Sequence, residues 1–175
     1  MGLHVLFVCT GNICRSPLAE RLAVAYASRF NVPNFKATSA GTGAVTGQAI
    51  HPEAARVLQN LGGDPSNFVA RQITANLALG ADLILTMTTA HRDFVLQLAP
   101  TRLRRTFTFI EAVRIITKCD AQGIDDLAVL RPHIKGESLD VADPIGRTME
   151  FHAAIGAQIA EAIPPILELC RRSPC

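Results

Sequence analysis

The chain has 175 residues, of which 49% are hydrophobic and 18% are charged, and its net charge at pH 7 is +2. This length predicts one domain over residues 1–175, with enough apolar side chains for a substantial core. The composition excludes an intrinsically disordered chain, which combines low hydrophobicity with high net charge. A net charge of +2 is too small to indicate nucleic-acid binding, although it suits a small anionic substrate.

Several features predict a soluble protein of the cytoplasm. Apolar stretches such as residues 77–87 are interrupted by Asp82 well before the ~18 residues that a membrane span requires. The N-terminal apolar run has neither a basic segment before it nor a cleavage site after it, so we expect no signal peptide. The five cysteines include no Cys-x-x-Cys pair, which predicts reduced thiols. The five histidines lack ligand spacing along the sequence, so we expect no metal and no cofactor.

Predicted strands and helices alternate along the chain. The apolar run at residues 3–8 predicts a buried strand, and Ser16-Pro17 predicts the N-cap and first residue of a helix. Further strands are predicted over residues 35–39, 82–87 and 105–110, and further helices over 51–61, 89–98 and from Arg147 onward. This alternation indicates an α/β fold with a doubly wound parallel sheet and helices on both faces. Ligands bind such sheets beyond the carboxyl ends of the strands.

Two later segments have ambiguous patterns. Residues 118–141 show no firm periodicity, so we expect a long loop with one helical turn. Pro164 and Pro165 interrupt the last helical segment, which either kinks there or begins a new helix.

The segment between the first strand and the first helix reads Cys-Thr-Gly-Asn-Ile-Cys-Arg over residues 9–15, and we call it the Cys9 loop. A loop that enters a helix from a buried strand directs backbone N–H groups into a concavity, where the helix dipole adds positive charge. Gly11 lets the backbone curl, and Asn12 tolerates a left-handed conformation. Arg15 provides a planar fork for two oxygens of a phosphoryl group. The loop therefore predicts a site for a tetrahedral oxyanion.

Cys9 is the candidate nucleophile of this site. The helix N-terminus and the Arg15 guanidinium both favour the thiolate form of a nearby cysteine. A thiolate below a phosphate-binding loop can attack phosphorus and form a phosphocysteine, whose oxygens the amides and Arg15 would hold. Ser16 is close enough in sequence for its hydroxyl to assist the sulfur as it leaves. The candidate substrate-binding residues are Thr10, Gly11, Asn12, Ile13, Cys14 and Ser16.

The Cys9 loop and the following Ser16-Pro17 resemble the phosphate-binding loop of the low-molecular-weight protein tyrosine phosphatases. Matching stretches follow in the family's order over nearly the whole chain: residues 39–42 (Ser-Ala-Gly-Thr), residues 70–74 (Ala-Arg-Gln-Ile-Thr), the third strand, and Asp143-Pro144. The resemblance implies a four-stranded parallel sheet of the phosphotyrosine protein phosphatase I type. It also implies metal-free hydrolysis of phosphotyrosine in a protein or peptide, through a phosphocysteine, by a monomer.

The resemblance also implies roles for two residues outside the loop. The family's general acid is the aspartate of an Asp-Pro pair, which corresponds to Asp143. Ser39 resembles the family serine that supports the loop asparagine, here Asn12. A general acid suits the chemistry because a phenol leaving group has a pKa near ~10 and departs more easily when it is protonated.

Departures from the family keep other functions open. Ile145 and Gly146 follow Asp143-Pro144 where the tyrosine phosphatases usually have two tyrosines, and the second half resembles the protein-arginine phosphatase branch. That branch, however, has threonine where this loop has Ile13. An arsenate reductase would need two further cysteines flanking a central helix, and none lies between residues 80 and 100. The alternative that is not an enzyme is a phospho-binding module of weak activity.

The glycine-rich residues 41–47 suggest a mobile loop at the rim of the predicted anion site.

Overall fold

The computed structural model describes residues 2–134 and 139–173, and the four strands in these ranges form one parallel sheet in the order β2-β1-β3-β4. The strands are β1 (His4–Cys9), β2 (Lys36–Gly41), β3 (Leu83–Thr86) and β4 (Thr106–Thr108). The helices are α1 (Arg15–Arg29), α2 (Pro52–Asn60), α3 (Ala75–Leu79), α4 (Thr89–Leu98), α5 (Phe109–Cys119), α6 (Ile124–Leu130) and α7 (Met149–Arg172). Short 3-10 turns cover Pro100–Arg105 and Arg131–His133.

Successive strand residues point to opposite faces of the sheet, and helices cover the apolar side chains on both faces. Val5 and Phe7 of β1 belong to the larger core, which α1, α2, α5, α6 and α7 complete. Leu6 and Val8 of the same strand point into a smaller core under α3 and α4. The predicted four-stranded parallel sheet with helices on both faces is thereby confirmed, whereas the domain extent of residues 1–175 stays a prediction.

The start of α1 differs from the prediction. The helix begins at Arg15, its N-cap is Cys14, and no side chain caps it. Ser16 is therefore inside the first turn rather than at the N-cap, because its hydroxyl contacts the Cys9 sulfur and Asn12 instead of a helix N–H. The end of α2 matches its prediction, since Gly62 takes the left-handed conformation (φ 91°) that closes a helix.

The prediction of a long loop over residues 118–141 is wrong. Helix α5 continues to Cys119, and α6 occupies Ile124–Leu130 within this segment. Two fully buried residues, Ile115 of α5 and Leu127 of α6, anchor these helices to the larger core. The predicted strand over residues 105–110 is correspondingly too long, because Thr108 and Glu111 form a capping box that starts α5.

Helix α7 continues without interruption through Pro164 and Pro165. The two prolines leave the carbonyls of Ala160 and Glu161 without helix donors, and these residues are half-buried and exposed, respectively. By length and composition α7 could cross a membrane, but half of its most apolar window is buried inside the protein. Ile159, Ile163 and neighbouring residues of α7 belong to the larger core, as expected of a core helix.

Candidate active site

The Cys9 loop connects the carboxyl end of β1 to the first turn of α1, and outside backbone groups hold its carbonyls. The carbonyls of Cys9, Thr10 and Gly11 accept hydrogen bonds of 2.9–3.1 Å from the backbone N–H groups of residues 42, 43 and 45. The carbonyl of Ile13 accepts one of 2.8 Å from the N–H of His51. Residues 41–47 are therefore a hydrogen-bonded support of the loop, whereas the mobility expected of this segment stays a prediction.

The amides of the loop face the opposite way from these carbonyls. Within the part of the chain that the structure describes, the N–H groups of residues 10–14 donate to no protein acceptor. Asn12 takes the left-handed conformation expected of it (φ 55°), whereas Gly11 does not have a positive φ. The glycine that the geometry requires is Gly41, where a Cβ would lie 2.2 Å from the Thr10 carbonyl oxygen. The loop thus offers unpaired donors to an anion.

A chain of hydrogen bonds leads from the Cys9 sulfur into the protein. Sγ of Cys9 lies 2.9 Å from Oγ of Ser16, and Nδ2 of Asn12 donates to Oγ of Ser16 and to Oγ of Ser39, each at 2.9 Å. Because Oγ of Ser16 accepts a hydrogen bond from Asn12, its own proton can be directed at the Cys9 sulfur. Asn12 and Ser16 are fully buried, so this geometry is insulated from solvent.

Two residues that the sequence analysis did not single out complete this network. Ser39 donates to Oε2 of Glu20 at 2.5 Å, and Oδ1 of Asn12 accepts from the Arg71 N–H at 2.9 Å. Nε of Arg71 also donates to the Ser39 carbonyl at 2.9 Å. Burial raises the pKa of Glu20, and the hydrogen bond from Ser39 opposes that shift. Arg71 lies in the stretch of residues 70–74 that resembles the family, but no sequence pattern indicated Glu20.

Arg15 and Asp143 come together although they are distant in sequence. Nη2 of Arg15 lies 3.1 Å from Oδ2 of Asp143, and Nη1 donates to the Val141 carbonyl at 2.9 Å. Nε of Arg15 is buried without a hydrogen-bond partner. The other carboxylate oxygen of Asp143 accepts from the Ile145 N–H at 3.2 Å across Pro144. The guanidinium is thus fixed in the site, and its Nε–H is among the donors that remain unused.

The segment that carries Asp143 is attached to the sheet just before the acid. The Val141 N–H donates to the Met87 carbonyl at 2.7 Å, beyond the carboxyl end of β3. Oδ1 of Asp140 accepts from the N–H and the hydroxyl of Thr89, each at 2.8 Å, at the first residue of α4. Asp140 is therefore engaged with a helix terminus, whereas Asp143 is directed at Arg15.

His91 of α4 contacts the Cys9 loop from the side of the smaller core. Its Nε2 lies 2.8 Å from Oγ1 of Thr10, and its side chain is buried. Burial, with a further contribution from the Arg15 charge, lowers the pKa of His91 to about 4. A neutral imidazole is therefore the resting form beside the loop, and no sequence pattern indicated this contact.

Two aliphatic side chains occur at the predicted substrate-selecting positions. Ile13 is half-buried and packs against the larger core, and the side chain of Ile145 is exposed. Cys14 is buried, and this burial raises the pKa of its thiol to about 12. Cys9, Cys14, Cys119 and Cys170 are all free thiols, and Cys175 lies outside the described residues.

The model of the family "Low molecular weight phosphotyrosine protein phosphatase" matches residues 4–117, which include β1 and the complete Cys9 loop. The chain belongs to this family. Wzb of Salmonella typhi, a low molecular weight protein-tyrosine-phosphatase, is 44% identical over 96 residues. These residues are 55% of the chain and 61% of Wzb, so the chain spans less than two thirds of that relative's length.

Solved structures extend the likeness to 95% of the chain. A low molecular weight protein tyrosine phosphatase from T. tengcongensis has a TM-score of 0.77 at 29% identity, over 95% of this chain and 99% of that one. The YwlE arginine phosphatase from Geobacillus stearothermophilus has a TM-score of 0.74 at 26% identity, over 95% and 91%. Asp143 lies outside the matched family model, so its role as general acid, which the resemblance implies, stays a prediction.

Proposed function

We propose that the chain hydrolyses phosphotyrosine in proteins or peptides through a phosphocysteine on Cys9. The observation that carries this proposal is the placement of the Cys9 sulfur. It lies 2.9 Å from the Ser16 hydroxyl, at the start of a loop whose amides have no protein acceptor among the described residues. Donors fixed before the substrate arrives stabilise developing negative charge without reorganisation. Membership of the phosphatase family supports the same reaction class.

In the first step the Cys9 thiolate attacks phosphorus, so that an S–P bond forms as the bond from phosphorus to the phenolic oxygen breaks. The amides of residues 10–14 and the Arg15 guanidinium hold the phosphoryl oxygens, and Nε of Arg15 is an unpaired donor suited to this purpose. As the phosphoryl oxygens replace the Asp143 carboxylate at Arg15, Asp143 takes part in its protonated form and donates that proton to the leaving oxygen. The half-exposed side chain of Asp143 can reach a leaving group at the mouth of the site.

In the second step water attacks phosphorus, and the S–P bond breaks to release inorganic phosphate. Asp143, now ionised, accepts a proton from the attacking water. The Ser16 hydroxyl donates a hydrogen bond to the departing sulfur and so stabilises the returning thiolate. Asn12 keeps this hydroxyl correctly oriented, because its own N–H occupies one acceptor position of the Ser16 oxygen.

The substrate, location and assembly follow as part of the same proposal. We expect a phosphorylated protein or peptide as the partner, and we expect a cytoplasmic monomer that binds neither nucleic acid nor membrane. The small net charge of +2 and the free thiols of the four described cysteines support a cytoplasmic location.

A protein-arginine phosphatase is the second candidate, and one observation favours it. The chain is similar to the YwlE arginine phosphatase from Geobacillus stearothermophilus over 95% of its length. Ile145 also replaces the aromatic side chain against which a phosphotyrosine ring would stack. Against this candidate, Ile13 offers no hydrogen bond to a guanidinium, which would lose water without gaining a partner.

The proposal is tested by hydrolysis of an aryl phosphate in the presence of a chelator. We expect turnover by the unmodified chain, none by Cys9→Ser, and normal turnover by Cys119→Ser as the matched control. Cys9→Ser should still bind inorganic phosphate because the amides and Arg15 remain. Arg15→Lys should be severely impaired, since an ammonium cannot hold two oxygens in one plane. Phosphate binding without turnover by the unmodified chain would support the phospho-binding module instead.

A further inference from the structure

A second cluster of chemically reactive side chains lies behind the Cys9 loop. Nε2 of His152 on α7 lies 3.0 Å from Oε2 of Glu53 on α2, and Nδ1 of His51 lies 3.9 Å from the same oxygen. The two imidazole rings are stacked, with their centroids 5.7 Å apart and their planes 12° apart. One ligand atom from each residue lies within 4.8 Å of the other two.

The two histidine nitrogens that face Glu53 are unsatisfied. Among the described residues, Nδ1 of His51 and Nε2 of His152 are buried and make no hydrogen bond, although both lie within ion-pair distance of Glu53. The approach of 3.0 Å between His152 and Glu53 therefore lacks hydrogen-bond geometry. Two buried nitrogens without partners, both close to one carboxylate oxygen, form the donor set of a metal ion rather than of a hydrogen-bonded pair.

Close packing of α2 against α7 holds the cluster in place. Gly156 is one turn after His152, and a Cβ on it would lie 2.2 Å from Cγ1 of Val57. Val57 is likewise one turn after Glu53, so the same faces of the two helices carry the close contact and the ligand pair. The packing that requires glycine at position 156 therefore also sets the separation of His152 and Glu53.

We propose that His51, Glu53 and His152 bind a divalent transition-metal ion of the zinc class. Imidazole and carboxylate ligands suit such an ion, and three protein ligands leave one tetrahedral position for water. Tetrahedral zinc bonds of about 2.1 Å place neighbouring ligand atoms ~3.4 Å apart. The observed separations from Oε2 of Glu53 are 3.0 Å to His152 and 3.9 Å to His51, so an ion would move each nitrogen by about half an ångström relative to the carboxylate. The side chains of His51 and Glu53 are 32% and 38% exposed, which provides an entry path, whereas that of His152 is 1% exposed.

The proposed ion would connect three parts of the chain without taking part in the phosphatase chemistry. His51 precedes α2, and its N–H holds the Ile13 carbonyl of the Cys9 loop. His152 and Cys14 line the same small cavity. Because the ion binds only the folded arrangement, it should stabilise the chain by mass action.

The test is calorimetric titration of Zn²⁺ into the metal-free full chain carrying Cys9→Ser, which removes the reactive thiolate as a competing ligand. We expect one ion per chain and a rise in Tm. His51→Ala and Glu53→Gln should each lower the affinity more than about 100-fold, beyond the loss typical of residues that only support a ligand. His133→Gln, which changes an exposed histidine on a 3-10 turn, should bind Zn²⁺ as before.

Cobalt distinguishes this site from binding by cysteine. The Co²⁺ complex of the Cys9→Ser chain should show ligand-field bands without the charge-transfer band that a thiolate ligand gives. Circular dichroism of Glu53→Gln, a conservative change at a partly exposed side chain, checks that the fold is intact. The proposal is overturned if folded Glu53→Gln binds Zn²⁺ as tightly as its parent, or if Co²⁺ shows thiolate ligation. Neither result depends on whether the chain hydrolyses phosphotyrosine.

Discussion

Arg15 and Asp143 form an ion pair of 3.1 Å between a side chain that is 4% exposed and one that is 50% exposed. The buried guanidinium is further fixed by the Val141 carbonyl, and the carboxylate by the Ile145 N–H. The ion pair therefore connects the buried part of the anion site to its solvent-exposed opening. A carboxylate in this position is held near the substrate and is still reached by solvent.

Loss of Asp143 should affect substrates according to their leaving groups. Asp143→Ala should slow phenyl phosphate by about 100-fold or more, the usual contribution of a general acid. It should slow p-nitrophenyl phosphate far less, because nitrophenolate departs without a proton. The kcat/KM values for the two esters measure the difference, because they report the first step and not the hydrolysis of the phosphocysteine that both esters share. Asp140→Ala is the matched control, since Asp140 binds Thr89 at the start of α4. Equal slowing of both esters by Asp143→Ala would assign the proton to another residue.

Removal of the Ser39 hydroxyl should lower both stability and turnover. Ser39→Ala leaves an N–H of buried Asn12 and the Glu20 carboxyl without this partner. An unsatisfied buried group destabilises by about 1–3 kcal/mol, which urea unfolding measures. The kcat should fall because Asn12 no longer orients the Ser16 hydroxyl. Ser28→Ala, at an exposed position of α1, should change neither quantity. Full activity in Ser39→Ala would show that Asn12 is held without Ser39.

His91 should make the fold sensitive to mild acid. The folded-state pKa of His91 is lowered to about 4 from 6.5, so the unfolded chain binds more protons between these values. The contribution of neutral His91 to the free energy of unfolding is fully present above about pH 6.5. It declines as the pH falls toward 4, by roughly 3 kcal/mol at most. His91→Gln should flatten the pH dependence of the unfolding free energy in this window. His133→Gln should leave the slope unchanged, and equal slopes in His91→Gln and the parent would refute the assignment.

Ile13 should bias the site toward phosphotyrosine. The amides contact only the phosphoryl group, so discrimination depends on residues at the rim. Ile13→Thr introduces a hydroxyl that can accept a hydrogen bond from a guanidinium. This hydrogen bond should raise kcat/KM for phosphoarginine, relative to that for phosphotyrosine, by about tenfold. The ratio of the two kcat/KM values is the measurement. Val129→Thr, on the exposed face of α6, is the control. A parent chain that prefers phosphoarginine would place selectivity in the second half of the chain.

Local sequence signals predicted the sheet and the nucleophile loop well. Buried runs of three to six residues predicted all four strands, and the left-handed Asn12 was expected from its residue type. Helix α5 was missed although Thr108 and Glu111 have the spacing of a capping box, because Phe109 and Ile110 between them continued the apolar strand pattern. That signal was available in the sequence and could have predicted the helix.

Other features depend on contacts that no local pattern reveals. Glu20 contacts Ser39 on β2, and His91 on α4 contacts Thr10. The residues of each pair are distant in sequence and come together only in the folded chain. The same holds for His51 and His152, which come from the start of α2 and from α7. Their sequence spacing indicated no ligand set, since ligand spacing is a property of local motifs and this cluster is not local.

The attachment of Val141 to the sheet affects which sequence changes this protein can tolerate. Both of its hydrogen bonds use main-chain atoms, its N–H to Met87 and its carbonyl to Arg15, and its side chain is buried in the larger core. The acid two residues later therefore keeps its place when the preceding connection is altered. Insertions, deletions or a transplanted loop upstream of Asp140 are the changes that this architecture tolerates best, and they offer a way to reshape substrate access without rebuilding the catalytic centre.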